Sequence, residues 1–276
     1  MSIKIVTDSS ANLFELEGVE FASVPLKVIV GDREFTDDAK VDMEEFYTLL
    51  DRHPEHSGTS CPSVAEWLDA FGDARHVFCI TLASTMSGSC SAARVAKREY
   101  ESQHPGRHVY LIDSLSIGPE MALLAERARS LVLSGMSPAY IYRALLRYKA
   151  KTHLVFALSD LKNCAENGRV GHTEARGVGV MGVGVVGHAS DQGSLEIQEK
   201  CRGRKQIGSG ILRQMKQLGY AGGRILIAHS GDESGALELM RRIREAFGSV
   251  DVRIGRSGAL CGFYAEQGSL LVGMEC

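Results

Sequence analysis

Short clusters of hydroxyl-bearing residues recur four times in the first half of the chain. They are the segments 7–10 (TDSS), 59–63 (TSCPS), 84–89 (STMSGS) and 113–116 (DSLS). Three of them follow apolar runs that are typical of buried strands, at 3–6, 77–80 and 109–112. Because the carboxyl ends of parallel strands share one edge of an open α/β sheet, these three clusters are expected to converge there. Many small donors with few charges suit a carboxylate head group better than acid–base catalysis.

Expected helix N-termini strengthen this interpretation for two of the clusters. Ser63 is expected to cap a helix, so the preceding Thr59 and Ser60 are not needed as caps. Ser87 and Gly88 precede a second expected helix, and a glycine there lets the backbone approach a ligand. The N-terminus of a helix has free N–H groups and a partial positive charge, which stabilise a carboxylate or a phosphate. Two such ends facing one another would form a neutral anion-binding pocket.

The elements that must position these residues change character near residue 150. Helices are expected at 41–53, from 63 onward, and at 89–100, 119–133 and 137–151, alternating with strands in the first part. The second part contains pairs of strands joined by turns, which is typical of a mixed or antiparallel sheet. The sequence therefore predicts an α/β protein of two domains. Residues 1–150 form a Rossmann-like parallel sheet with helices, and residues 151–276 form an α/β domain with a mixed sheet.

A glycine- and valine-rich segment at 177–187 matches the pattern GxGxxG twice. A dinucleotide site would need a preceding strand and a following helix, but a turn at 188–193 follows the segment. The sequence therefore favours a glycine-rich strand against which another element packs closely.

Bulk properties exclude several classes of function. The chain has 276 residues and a formal net charge of −3, whereas nucleic-acid-binding domains are usually basic. No apolar run approaches the ~20 residues that span a bilayer, and the expected N-terminal strand is not preceded by a signal segment. The seven cysteines form no CxxC pair and the nine histidines lack the spacing of metal ligands. We therefore expect a cytoplasmic protein without nucleic-acid binding, stable membrane insertion or a metal site.

Two further interpretations stay open at this point. Asp8 and Asp113, with the serines beside them, could serve a small-molecule transferase or hydrolase at the same sheet edge, although no GxSxG elbow is present. Arg169 and Arg202 are local basic features. Each is expected either on a solvated surface or in contact with a phosphate or a partner protein.

Five motifs in order resemble those of the DegV family of bacterial fatty-acid-binding proteins. They are 4–10 (KIVTDSS), 59–63 (TSCPS), 84–89 (STMSGS), 113–114 (DS) and 167–170 (NGRV). The resemblance implies a non-enzymatic, two-domain α/β protein without a cofactor, which holds one long-chain fatty acid between its domains. Members of the family present the acyl carboxylate to a separate fatty acid kinase, which makes acyl phosphate.

The resemblance also implies roles for particular residues. The carboxylate contacts carry over to Thr59 and Ser87. The neighbouring ligand-binding candidates are Ser60, Gly88 and Ser114, and the candidate organisers are Asp8 and Asp113.

Three positions depart from the family pattern. Tyr264 stands where the family has a histidine that touches the carboxylate, and a tyrosine donates a hydrogen bond but carries no positive charge. Asn167 replaces a glycine before Arg169, and the segment 177–187 replaces an Ile-Lys-Pro strand. The sequence leaves open the length and saturation of the acyl chain, the kinase partner and the oligomeric state.

Overall fold

The computed structural model describes residues 2–53 and 57–276, which fold into three β-sheets with ten helices. The strands are β1 (Ile3–Asp8), β2 (Glu20–Val24), β3 (Lys27–Val30), β4 (Arg33–Thr36), β5 (Ser57–Ser60), β6 (His76–Thr81), β7 (His108–Asp113), β8 (Thr152–Leu158), β9 (Val183–Ala189), β10 (Leu195–Arg202), β11 (Ile225–His229), β12 (Val252–Arg256) and β13 (Leu270–Glu275). The helices are α1 (Met43–Arg52), α2 (Val64–Phe71), α3 (Ser89–Gln103), α4 (Pro119–Leu133), α5 (Pro138–Lys149), α6 (Lys162–Glu166), α7 (His172–Ala175), α8 (Gly203–Gln217), α9 (Glu233–Phe247) and α10 (Ala259–Ala265).

The first sheet is parallel throughout and has the strand order β2-β1-β6-β7. The three strands predicted from apolar runs are its β1, β6 and β7, and β6 is buried along its whole length. The carboxyl ends of these strands therefore share one edge, as the sequence predicts. This part of the chain has the expected Rossmann-like architecture.

The second sheet is mixed, with the order β10-β9-β8-β13-β11-β12. Its neighbouring strands are antiparallel except for β11 and β12, which are parallel and are connected through α9. The mixed α/β fold predicted for the second part is confirmed. A domain boundary near residue 150 stays a prediction, because α10 contributes Leu260 and Phe263 to the same hydrophobic cluster as Phe78, Ile112 and Leu124.

A small third sheet, antiparallel and ordered β4-β3-β5, is absent from the sequence prediction. Each of its strands has four residues, and the sequence of β5 is Ser-Gly-Thr-Ser, which lacks an apolar alternation. Thr59 and Ser60 consequently lie on an edge strand of this sheet. The helix that follows them begins as predicted, since Ser63 and Glu66 form a reciprocal capping box at the start of α2.

The glycine- and valine-rich segment is only partly a strand. Residues 183–187 belong to β9, but Val180–Gly182 is a 3-10 turn and the glycines 177, 179 and 182 have positive φ angles. These left-handed conformations interrupt an extended chain, so the prediction of a strand over 177–182 is wrong. Close packing is found further along, because a Cβ atom on Gly187 would lie 2.6 Å from the Phe156 ring.

The carboxyl group of Glu120 is buried at the start of α4, where it accepts a hydrogen bond of 2.8 Å from the Thr152 hydroxyl. Burial raises the pKa of Glu120 to about 7. A carboxyl group whose pKa is higher in the folded than in the unfolded chain takes up a proton on folding, so its contribution to stability falls as the pH rises from about 4.5 to about 7.

We therefore expect Glu120→Gln to remove this part of the pH dependence. Relative to the parent chain, the free energy of unfolding of the variant should rise by on the order of 2 kcal/mol between pH 4.5 and pH 8. Urea denaturation at both pH values measures the change, with the exposed Glu15→Gln as the control. An equal difference between variant and parent at the two pH values would contradict the assignment.

Candidate functional site

An apolar cavity that opens to solvent lies between the edge of the first sheet and the face of the second. Thirteen of the seventeen side chains that line it are apolar. They come from both sides of residue 150 and are Leu26, Leu82, Met86, Ile117, Leu154, Phe156, Leu158, Cys164, Leu195, Leu260, Cys261, Ala265 and Leu271. The four polar lining residues are Thr59, Ser87, Arg169 and Tyr264.

Three of the four polar residues are in contact with one another, and the fourth, Ser87, follows a residue that one of them binds. The hydroxyl oxygens of Thr59 and Tyr264 lie 2.8 Å apart in a hydrogen bond. The guanidinium carbon of Arg169 lies 5.3 Å from the centre of the Tyr264 ring, and its Nε atom donates to the carbonyl of Met86 at 3.1 Å. Ser87 follows Met86 directly. Two hydroxyl groups and one cation are therefore in contact on an otherwise apolar surface, and a third hydroxyl group belongs to the residue next to Met86.

Each of these side chains is held by a different element. Thr59 lies on β5, and Tyr264 lies near the end of α10. Ser87 precedes α3, and its hydroxyl accepts a hydrogen bond of 3.2 Å from the amide of Ser89 in the first turn of that helix. Arg169 follows α6 after Gly168, which has a φ of 74° and reverses the chain there.

The Tyr264 hydroxyl is a neutral hydrogen-bonding group. Burial raises the pKa of Tyr264 above the ordinary value of a tyrosine, more than the hydrogen bond with Thr59 and the charge of Arg169 lower it. A neutral phenol both donates and accepts hydrogen bonds. Either hydroxyl of the Thr59–Tyr264 pair can therefore donate to a carboxylate oxygen while it accepts the hydrogen bond of the other.

The positive charge of Arg169 is the main difference from the neutral pocket expected from the sequence. The sequence analysis leaves Arg169 either on the surface or against a partner or phosphate, but the structure places it in the cavity lining. The side chain is half-buried and stacks on the Tyr264 ring. A guanidinium group in that place supplies the charge that a tyrosine lacks.

Asp8 organises the edge of the first sheet from a fully buried position. Its carboxylate accepts hydrogen bonds from the Leu82 amide at 2.9 Å and the Ser89 hydroxyl at 2.7 Å, and also from the Ser10 hydroxyl. Burial raises the pKa of Asp8. Because Leu82 lines the cavity while Asp8 itself does not, Asp8 supports the wall from behind.

Asp113 ends β7, two strands further along the sheet. Its Oδ1 atom accepts hydrogen bonds from the amides of Ser84 and Leu115, each at 3.2 Å, and so ties together two of the hydroxyl clusters. The clusters at 7–10, 84–89 and 113–116 are therefore brought together, as the strand pattern predicts. Many of their hydroxyl groups bind backbone or carboxylate groups of the protein rather than facing the cavity.

The remaining candidate residues lie outside the cavity lining. Ser60 follows Thr59 on a strand, where successive side chains point to opposite faces. Gly88 is exposed at the start of α3, and Ser114 is buried, with its hydroxyl donating to the carbonyl of Ser116 at 3.0 Å. Arg202 ends β10, and its Nε atom donates to the carbonyl of Met181 at 3.2 Å.

Over residues 2–53 and 57–276, no group of three or more His, Cys, Asp or Glu side chains is arranged to hold a metal ion. Within the same residues, no helix combines the length and apolar character needed to cross a membrane.

A model of the DegV family, described as an uncharacterised protein family, matches residues 2–275. The chain belongs to the DegV family. The resemblance inferred from the five motifs is thereby confirmed. Among the relatives, the DegV domain-containing protein spr0652 of Streptococcus pneumoniae R6 is 37% identical over 279 residues, which cover 100% of this chain and 99% of that protein.

Two solved structures of DegV relatives contain fatty acids. A DegV family protein from Eubacterium eligens, loaded with heptadecanoic acid, has a TM-score of 0.96 at 35% identity and covers 99% of both chains. The Fatty Acid Kinase (Fak) B3 protein of Streptococcus pneumoniae, loaded with linoleic acid, has a TM-score of 0.97 at 37% identity. That comparison covers 100% of this chain and 99% of the other.

Proposed function

We propose that this chain binds one long-chain fatty acid. The acyl tail lies in the cavity, and the carboxylate lies at the four polar lining residues, Thr59, Ser87, Arg169 and Tyr264. The observation that carries the proposal is the cavity with thirteen apolar lining residues and four polar ones, of which Thr59, Tyr264 and Arg169 are in mutual contact. Small-molecule sites are usually concave and mostly apolar, with a few polar groups that fix the orientation of the ligand. An amphipathic ligand with one polar end matches this distribution.

The two parts of the ligand would contribute differently. Burial of the tail provides roughly 0.8 kcal/mol per methylene group, so the acyl chain supplies most of the affinity. The carboxylate would accept charge-assisted hydrogen bonds, which are shorter and stronger than neutral ones. Three hydroxyl groups and a guanidinium group would therefore fix which end of the ligand lies at the polar group.

The relatives support this assignment by their ligands. The proteins loaded with heptadecanoic acid and linoleic acid share the fold of this chain along nearly its whole length. One of these fatty acids is saturated and the other is not, so the comparison suggests no single tail for this chain.

We further propose that a separate fatty acid kinase acts on the bound carboxylate and that this chain performs no chemistry itself. The support for a kinase is the similarity to the Fatty Acid Kinase B3 protein. The alternative, a transferase or hydrolase, would use Asp8 and Asp113. Asp8 is fully buried with three hydrogen-bond donors around it, and Asp113 holds two loop amides, so both carboxylates serve the architecture of the edge.

Native mass spectrometry of the purified protein tests the proposal directly. We expect the chain to carry the mass of one acyl chain and, after delipidation, to take up one equivalent of an added long-chain fatty acid. Competition among saturated and unsaturated acids would then identify the preferred tail. A delipidated, folded chain that takes up none of them would contradict the proposal.

A further inference from the structure

Helix α10 is capped by side chains from the opposite end of the chain. Its N-cap residue is Gly258, which has no side chain to satisfy the free amides of the first turn. Instead, Oδ1 of Asn12 accepts a hydrogen bond from the Gly258 amide at 2.9 Å, and Oδ1 of Asp37 accepts one from the Ala259 amide at 2.6 Å. The position of α10 is therefore fixed from the first part of the protein.

The contact between Asp37 and the helix is close and enclosed. Asp37 is fully buried, and a Cβ atom on Gly258 would lie 2.5 Å from its Oδ1 atom. Only a glycine at position 258 admits the carboxylate at this distance. Because Gly258 has no side chain, it cannot cap α10 itself. The same lack of a side chain leaves room for Asp37 to cap the helix.

The small third sheet contacts α10 at both of its ends. Asp37 directly follows β4 and binds the first residue of the helix. Thr59 lies on β5 of the same sheet and binds Tyr264 near the end of the helix. A helix of seven residues is only about 10 Å long, so a shift at its first turn is transmitted to Tyr264.

We propose that Asp37 is a positioning residue of the carboxylate site, which holds α10 so that the Tyr264 hydroxyl meets Thr59 at the cavity. This inference rests on the proposed fatty-acid binding. The ionised form of Asp37 is the better acceptor, because hydrogen bonds to a charged group are stronger than those to a neutral one. The affinity for the fatty acid should therefore depend on the charge of a residue that does not line the cavity.

The charge of Asp37 changes within an accessible pH range. Burial raises the pKa of Asp37 to about 6, against the lowering effects of the Ser9 hydroxyl and the α10 amides, and the nearby Asp8 raises it further. The other titratable group facing it is the Cys261 thiol of α10, whose pKa burial also raises. Protonation as the pH falls through about 6 removes the charge from the cap.

Stability and affinity should respond to this protonation in opposite directions. Because the folded pKa of Asp37 exceeds the unfolded one, its contribution to the free energy of unfolding increases as the pH falls from about 6 to about 4. The cap on α10 becomes weaker over the same range. A loss of affinity near pH 5.5 therefore cannot arise from unfolding caused by this group.

Titrations with oleic acid at pH 7.5 and pH 5.5 test the proposal. We expect Asp37→Ala to bind about tenfold more weakly than the parent at pH 7.5. Asp37→Asn retains an acceptor oxygen, so its affinity for oleic acid should fall by no more than about threefold. At pH 5.5 the affinity of the parent should approach that of Asp37→Asn. In a Tyr264→Phe background, Asp37→Ala should add less than twofold, because interacting residues are not additive.

The matched control is Asp232→Ala, which removes an aspartate cap from α9 and should leave oleic acid binding within twofold. The proposal would be overturned if the affinity of Asp37→Ala for oleic acid stayed within twofold of the parent. It would also be overturned if Asp37→Ala weakened binding as much in the Tyr264→Phe background as in the parent. If Asp37→Ala does not fold, the Asp37→Asn variant and its pH profile decide.

Amide hydrogen exchange of residues 258–265 in the ligand-free protein measures how well Asp37 caps α10. Asp37→Ala should exchange the Ala259 amide about tenfold faster than the parent, and unchanged exchange would overturn the capping role. A parent chain that binds no oleic acid would instead contradict the proposed function.

Discussion

The double variant Thr59→Val, Ser87→Ala is expected to bind a long-chain fatty acid about 100-fold more weakly than the parent chain. Each substitution removes one hydroxyl group from the polar group at the cavity while nearly preserving its shape. A hydrogen bond to a charged group contributes about 1.5–3 kcal/mol, and roughly 1.4 kcal/mol corresponds to a tenfold change in affinity. Isothermal titration of the delipidated chain with oleic acid measures the effect.

The chain offers a matched control for this experiment. The variant Ser60→Ala, Ser114→Ala also removes two hydroxyl groups, one from the cluster at 59–63 and one from that at 113–116, but neither residue lines the cavity. Its affinity should stay within about threefold of the parent, because the carboxylate loses no direct contact. An equal loss in both double variants would show that the clusters act through the fold and would remove Thr59 and Ser87 from the carboxylate site.

Thr59 and Ser87 could be found from the sequence because local rules apply to them. Each belongs to a recurring motif, and each precedes a helix whose start is marked by a cap or by a strand followed by glycine. The order of the parallel strands then brings the clusters at 7–10, 84–89 and 113–116 to one edge. The motifs also carried the family resemblance, so the fold class followed from the same residues.

The third sheet and α10 could not be found in this way. Six of the seven residues of α10 are buried, so the helix shows no alternation of apolar and polar faces. The strands of the third sheet are too short for a period to be read. The hydrogen bond between Thr59 and Tyr264 joins these two elements across 205 residues of sequence.

The place of Arg169 depends on the same long-range packing. Its sequence context shows a helix end at Asn167 and a glycine, which indicates a turn but not a direction. Only the packing of the second part against the loop before α3 brings the guanidinium group to Met86 and Tyr264. The sequence therefore indicated the hydroxyl groups that line the cavity but not the guanidinium group among them.

The packing between the two parts of the chain leads to a stability prediction at Gly273, on β13. A Cβ atom there would lie 2.5 Å from both the carbonyl carbon of Pro119 and the amide nitrogen of Glu120, at the start of α4. These neighbours are backbone atoms, which cannot rotate away as a side chain can. We expect Gly273→Ala to lower the free energy of unfolding by about 3 kcal/mol, at the upper end of the usual cost of overpacking.

Gly255→Ala on β12 is the matched control, because it makes the same substitution in the same sheet where no atom lies within 4 Å of the new Cβ atom. It should be neutral or stabilise the chain by up to about 1 kcal/mol, since alanine restricts the unfolded chain more than glycine does. Urea denaturation of both variants measures the difference. Leu271 lies two residues before Gly273 on the same face of β13, and its side chain lines the cavity. A substitution at Gly273 that separates β13 from α4 should therefore also weaken fatty-acid binding. Equal stability of the two variants would show that the start of α4 can move away from β13 at little cost, and the two parts would then not be locked together at this contact.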